Sequence, residues 1–412
     1  MSDMPGLAAR LLALGMRHMD LVFRILRNTL PILVVRRGGR HYALITRYDD
    51  VQEVLSRPNT FNVVYAPKIA VIMEGDNIFL GMRDEERQRR DKATLRLAAP
   101  QAEAMARVKP ETRRLAEEVI GRVRERGRLD LAMELTQEVT TRLFGAYFGT
   151  PGRSVEEISE QARRLFGYMF ASPGNDPARQ ARAEPVAAAL RRDIEETIRA
   201  RKQDRGRHDD MLERCLRFQD IGLPGLSDRE IRNNLIGLIV GAMPQAPMLI
   251  PQLFDRLLDR PRELAEAQAA ARADDDAAVA RYVFEAARFW PLAPWLYRQC
   301  EETYRLAGGT LRSRVIPRGT LVLAATRSAM FDGRRVPRPR AFRTDRPDHA
   351  YMHFGYGLHE CFGIHMNKVM VPEICKAVLR LPGLRRAPGP EGRIRMDDEF
   401  GIFPMNLTVE FG

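Results

Sequence analysis

Apolar residues at three- and four-residue spacing run through most of the first two thirds of the chain, over Ala102 to Arg126, Val155 to Met169, Glu184 to Lys202 and Asp228 to Leu258. That period puts one apolar stripe on each segment, so the segments predict amphipathic helices. Strand-like runs are few and lie near the two ends: His41 to Thr46, then Thr303 to Leu306, Thr320 to Ala324 and Leu407 to Phe411. Connections such as Ser172 to Ala178 and Gln203 to Asp210 are short and polar. The expected fold class is mainly α with small β-sheets (α+β). With no repeat, low-complexity tract or long Gly/Ser linker, residues 1–412 read as one compact domain.

Composition narrows the function. At 412 residues, 45% hydrophobic and 29% charged, the chain can bury a large core and needs no disulfide framework. The net charge of +12 suits acidic partners such as a redox protein or an anionic substrate. Its arginines are scattered (Arg36, Arg37, Arg40; Arg87, Arg89, Arg90; Arg334, Arg335, Arg338, Arg340), which describes a solvated surface, and no nucleic-acid partner is expected. Cys215, Cys300, Cys361 and Cys375 are widely spaced, without a CxxC pair or a signal-peptide pattern, so a reducing cytoplasmic location is expected. Charges break Leu7 to Val35 at Arg10, Arg17, Asp20, Arg24 and Arg27, and three prolines interrupt Leu235 to Pro251. No transmembrane segment is expected, and the N-terminal amphipathic stretch is expected to pack on the body of the protein.

The chemistry concentrates in His353-Phe354-Gly355-Tyr356-Gly357-Leu358-His359-Glu360-Cys361-Phe362-Gly363, followed by a helix-like run from Ile364 to Arg380. Two glycines allow tight turns ahead of the cysteine, and Gly363 lets backbone approach a flat ligand. Cys361 then stands at a helix entrance, where the helix dipole and backbone N–H groups favour a thiolate and tune its donation to a metal. A lone cysteine in a glycine-rich turn is ordinarily a buried, inert one. Here Phe354, Gly357, His359, Cys361 and Gly363 fit FxxGx(R/H)xCxG, a coincidence with odds on the order of 10⁻⁴ at ordinary residue usage.

The segment resembles the haem-binding loop of the cytochrome P450 family. The resemblance implies a single P450-like fold, haem b as cofactor and Cys361 as the thiolate ligand of its iron. It also implies a buried ExxR pair upstream, which Glu285 and Arg288 supply one helical turn apart among apolar neighbours. Arg346 matches the arginine that completes that network. Arg298 and His359 occupy the places of the cations that bind haem propionates. The family's usual propionate histidine is missing from Asp84-Glu85-Glu86-Arg87-Gln88-Arg89-Arg90, and Arg87 is the residue offered in its place.

One family element fails. The distal helix usually reads (A/G)Gx(D/E)TT, with an acid and a threonine that pass protons to iron-bound dioxygen. Aligning Val240-Gly241 on its start puts Met243 where the acid belongs and Pro244 where the alcohol belongs, and Gln245 follows. Neither side chain shuttles a proton, and such relays contribute about 10²–10⁴ in rate. Pro244, Pro247 and Pro251 also remove helix N–H groups and predict a kink. The substitution is similar to that in members that consume peroxides or rearrange hydroperoxides. Peroxygenases of that kind place an arginine where Met243 stands, so a carboxylate anchor of their type is not expected.

Three readings follow. The first is peroxide-dependent oxygenation or hydroperoxide rearrangement of a small apolar organic substrate. The second is a conventional monooxygenase fed electrons by a ferredoxin or flavodoxin. The third is a haem-dependent binding or sensing protein without turnover. Apolar residues between Phe61 and Met82 (Val63, Tyr65, Ile69, Ile72, Phe79) fall where the family places a substrate-covering loop, and they suit a core role equally well.

Overall fold

Several helices start where the sequence supplies a side-chain acceptor for their unpaired N–H groups. Ser227 caps the helix Asp228–Ala242 in a reciprocal box with Glu230. Asp176, Asp210 and Ser154 likewise cap Pro177–Gln203, Met211–Asp220 and Val155–Phe170. Each such cap stabilises its helix by about 1 kcal/mol. These elements belong to a computed structural model that describes residues 18–83, 85–152 and 154–412. Asp84 and the start of the N-terminal charged stretch, including Arg10 and Arg17, lie outside the described residues.

The described chain forms two compact units. The first joins the described part of Met1–Val64 to Ala293–Cys361. Its frame is a five-stranded sheet in the order β1 (Ile32–Arg37), β2 (Arg40–Ile45), β8 (Leu321–Ala324), β5 (Leu296–Cys300), β3 (Phe61–Asn62). All neighbours are antiparallel except β2 and β8, which run parallel with Tyr42 opposite Leu321. Beneath the sheet, Ile32, Ile45, Val51, Leu55, Phe61 and Val322 form one buried cluster. Each fully buried aliphatic side chain stabilises it by roughly 1.5–3 kcal/mol. The helix Met19–Thr29 buries Phe23 and ties Arg27 to the Ser328 carbonyl at 2.9 Å, so this part of the N-terminal stretch packs on its unit as expected.

The second unit, Tyr65–Leu292 with Phe362–Gly412, holds most of the helices and a three-stranded sheet of β4 (Arg128–Asp130), β10 (Thr408–Glu410) and β9 (Arg385–Arg386). Asp228–Ala242 packs on Val155–Phe170 and Pro177–Gln203. Arg232 anchors it through an ion pair of 3.0 Å to Glu74 and a second with Glu195. By length and composition the span Asp228–Leu257 is apolar enough to cross a membrane, but 67% of its apolar window is buried against the protein, as in a core helix. The expected mainly helical class holds. The strands β1 and β5 were not expected, and Pro177–Gln203 starts seven residues before the expected helix and carries Pro185 inside it.

Candidate functional site

The cysteine loop is built by its glycines. Gly355 and Gly357 adopt φ of +75° and +73°, the left-handed region where a side chain is strained. At Gly357 a Cβ would also meet the Leu55 carbonyl oxygen at 2.8 Å. Between these turns and the helix Ile364–Leu379, the Cys361 N–H donates to the Phe354 carbonyl at 2.9 Å, which closes the loop. Gly363 has φ −81°, open to any residue, so it is not required for backbone reasons. His359 ends a one-turn 3₁₀ segment, Gly357–His359.

The four cysteines separate by burial. Cys215, Cys300 and Cys375 are buried, and desolvation pushes their thiols up, to about 12 for Cys215 and about 11 for Cys300. Cys361 is half-exposed. Its neighbours in sequence Phe354, Leu358, Phe362 and Ile364 are each partly exposed as well. Among the described residues no three His, Cys, Asp or Glu side chains cluster as a metal site, so a metal at Cys361 must bring other donors with it. A haem, which brings four ring nitrogens and a flat apolar face, fits that requirement. Arg298, on β5 in the same unit, is buried, with Nη1 donating to the Tyr297 carbonyl at 2.8 Å.

In the second unit Glu285 and Arg288 form the bidentate pair expected of them, at 2.9 and 2.7 Å, with both side chains at 0% exposure. Arg346, in the first unit, binds the Pro337, Arg338 and Ala341 carbonyls at 2.7–3.0 Å and so holds its own loop. Arg87 lies 3.5 Å from Asp91 and 3.9 Å from Glu230, carboxylates that compete with any propionate for its charge. Within the substrate-cover segment, Phe61, Ile69, Ile72 and Met73 are fully buried core, while Tyr65 and Leu80 are partly open.

The expected kink is a break in the hydrogen-bond ladder rather than in the backbone: Met243 and Pro244, between Asp228–Ala242 and Gln245–Leu257, keep right-handed helical dihedrals of φ −64°, ψ −39° and φ −79°, ψ −16°. Pro247 has no N–H for the Met243 carbonyl one turn back. Thr140 fills the gap, its Oγ1 standing 3.1 Å from the Met243 oxygen and 2.7 Å from the Thr136 oxygen. Met243 and Pro244 are buried. Gly237, Leu238, Gly241, Ala242 and Gln245 form a partly exposed stripe on this otherwise buried span, and a Cβ at Gly241 would meet nothing within 4 Å. The Gln245 amide makes no hydrogen bond to the protein among the described residues. Thr140 escaped the sequence reading because the proline defect was legible but its filler lies 103 positions away. Arg96 escaped too; its guanidinium reaches the Phe362 carbonyl at 2.7 Å.

No protein-family model matches the chain. Part of it is 39% identical over 84 residues to a linoleate diol synthase of Gaeumannomyces graminis, and 30% identical over 196 residues to a bifunctional dioxygenase–epoxy alcohol synthase of Fusarium oxysporum. Those matches cover 20% and 46% of the chain but only 7% and 15% of the fungal proteins. The mycinamicin IV hydroxylase/epoxidase of Micromonospora griseorubida is 24% identical over 93% of each chain. Among solved structures, P450BioI in complex with an acyl carrier protein carrying hexadec-9Z-enoic acid aligns with TM-score 0.82 and 17% identity, over 97% of this chain and 100% of that one. Cytochrome P450 TbtJ1 aligns at 0.79 and 21%, over 97% and 98%. The chain therefore has the cytochrome P450 fold.

Proposed function

We propose that the chain is a cytoplasmic haem-thiolate oxidoreductase acting on an apolar organic substrate, with an O–O bond supplied by a peroxide or hydroperoxide. The observation that carries this reading is the pair Met243-Pro244, both buried, which puts no acid or alcohol side chain where the family keeps its proton relay. Haem b, when bound, supplies an iron centre that cleaves O–O bonds with electron donation from sulfur. Cys361 holds the iron, and Arg298 and His359 hold the haem carboxylates. Gly241 leaves space beside its helix, and Gln245 offers an uncommitted amide N–H to a substrate oxygen. Met243 and Pro244 deliver no proton. A hydroperoxide arrives with its O–O bond already reduced and does without that delivery. Linoleate and epoxy alcohol in the names of two relatives make an oxygenated fatty acid the first substrate class to test.

The bacterial relative matched along 93% of the chain favours a second reading, a monooxygenase fed by a ferredoxin or flavodoxin, and the net charge of +12 suits such an acidic donor. Product analysis separates the two. Hydrogen peroxide or a fatty-acid hydroperoxide is expected to support turnover of the purified protein. Robust coupled turnover with NADPH and a ferredoxin system, and none with either peroxide, overturns the first reading.

A further inference from the structure

We infer that Arg96 is a positioning residue for the sulfur ligand: it clamps the peptide that follows Cys361 and fixes a permanent positive charge beside it, raising the reduction potential of bound haem. The inference rests on the reading of Cys361 as iron ligand.

Three contacts within the second unit converge on Phe362. The Arg96 Nη2 donates to its carbonyl at 2.7 Å. The Arg96 guanidinium carbon lies 4.0 Å from the centre of its ring. Phe79 packs on the same ring at 5.4 Å, tilted by 41°. One residue, immediately after the cysteine in sequence, is thus fixed at its carbonyl and at its ring. A charged donor to a carbonyl is roughly twice as strong as a neutral one, and a guanidinium over an aromatic face is attracted by the ring quadrupole.

Electrostatics give the direction. Reduction adds one negative charge to an iron already bound to an anionic sulfur, so a fixed cation nearby favours the reduced form. Arginine suits the task because its planar fork hydrogen-bonds a carbonyl while its face stacks on a ring, which an ammonium cannot do. The helix Glu85–Ala98 carries Arg96 in its last turn.

The test is a reductive titration of the haem-loaded protein with dithionite and mediators. Arg96→Leu keeps an apolar contact with the Phe362 ring but loses charge and donor. Its potential is expected to fall by about 59 mV, a tenfold change in the reduction equilibrium for one electron, and Arg96→Lys is expected to recover part of the loss. If Arg96→Leu takes up no haem, Arg96→Gln, which keeps a donor without the charge, carries the measurement. A potential equal to wild type in the variant measured overturns the inference. A wild-type protein whose reduced carbon monoxide complex lacks the thiolate Soret band instead overturns the assignment of Cys361.

Discussion

The cysteine loop and the helix break use their special residues in opposite ways. In the loop, left-handed glycines and a closing N–H bond over-determine the backbone, so the position of one sulfur is fixed while the apolar side chains around it stay open. At the break, prolines strip N–H groups from a helix, and the repair comes from Thr140 on another element. On the proposed reading the loop holds a metal, and Met243-Pro244 takes the place of a means of moving protons. A chain of that kind would retain the part of haem-thiolate chemistry that needs no proton relay.

The largest effect tests the loop alone. Cys361→Ser is expected to abolish turnover with every oxidant and to remove the thiolate Soret band from the reduced carbon monoxide spectrum. Thiolate-type ligation surviving in that variant would end the comparison. The break is tested next by Pro244→Thr, which returns an N–H for the Val240 carbonyl and a hydroxyl to the family position. Turnover driven by a ferredoxin is expected to rise relative to peroxide-driven turnover by about 10²-fold, the low end of what a proton relay contributes. An unchanged ratio would mean that the lost relay does not govern the choice of oxidant.

A smaller pair of substitutions sharpens the comparison as stability. Gly357→Ala strains a φ of +73° and brings a Cβ against the Leu55 carbonyl, at a cost of about 1–3 kcal/mol. Thr140→Val removes the one hydroxyl proton that the Met243 and Thr136 carbonyls share, a loss of about 1–3 kcal/mol. Urea melts are expected to show both. Gly363→Ala, at φ −81°, incurs no such backbone strain and is expected to leave the melt of the haem-free protein unchanged.

What the sequence made legible follows from how local each signal is. The cysteine loop and the Glu285–Arg288 pair are short-range patterns: the pair forms as read, and the loop makes the tight turns expected at Gly355 and Gly357. The proline defects were local as well, hence the kink was expected, yet Thr140 was invisible because its partner is reached only through tertiary packing. β1 was missed because Arg36 and Arg37 end it, and its start was absorbed into an amphipathic stretch reaching Val35. β5 was missed because Arg298 and Gln299 break its apolar pattern, although the fold buries Arg298 at 3% exposure. A buried cation defeats any reading that equates polar with outside.

The smallest effect is chemical access to sulfur, and it compares the loop with the rest of the molecule rather than with the break. Cysteine alkylation requires the thiolate and an open path. Burial denies both to Cys215 and Cys300, whose thiols it pushes up to about 12 and about 11, so at pH 8 each stays protonated and covered. Cys375 is raised further by the same desolvation. For these three, raising pH within the stable range should add almost no modification, because the populated form remains the thiol well past pH 9. Cys361, half-exposed in the protein chain, is expected to be the site that iodoacetamide labels in haem-free protein, and haem loading is expected to protect it. Peptide mapping reads the outcome directly. Equal labelling of Cys361 with and without haem would place the cofactor away from the sulfur, and the contrast between an iron-holding loop and a relay-free helix would lose its first half.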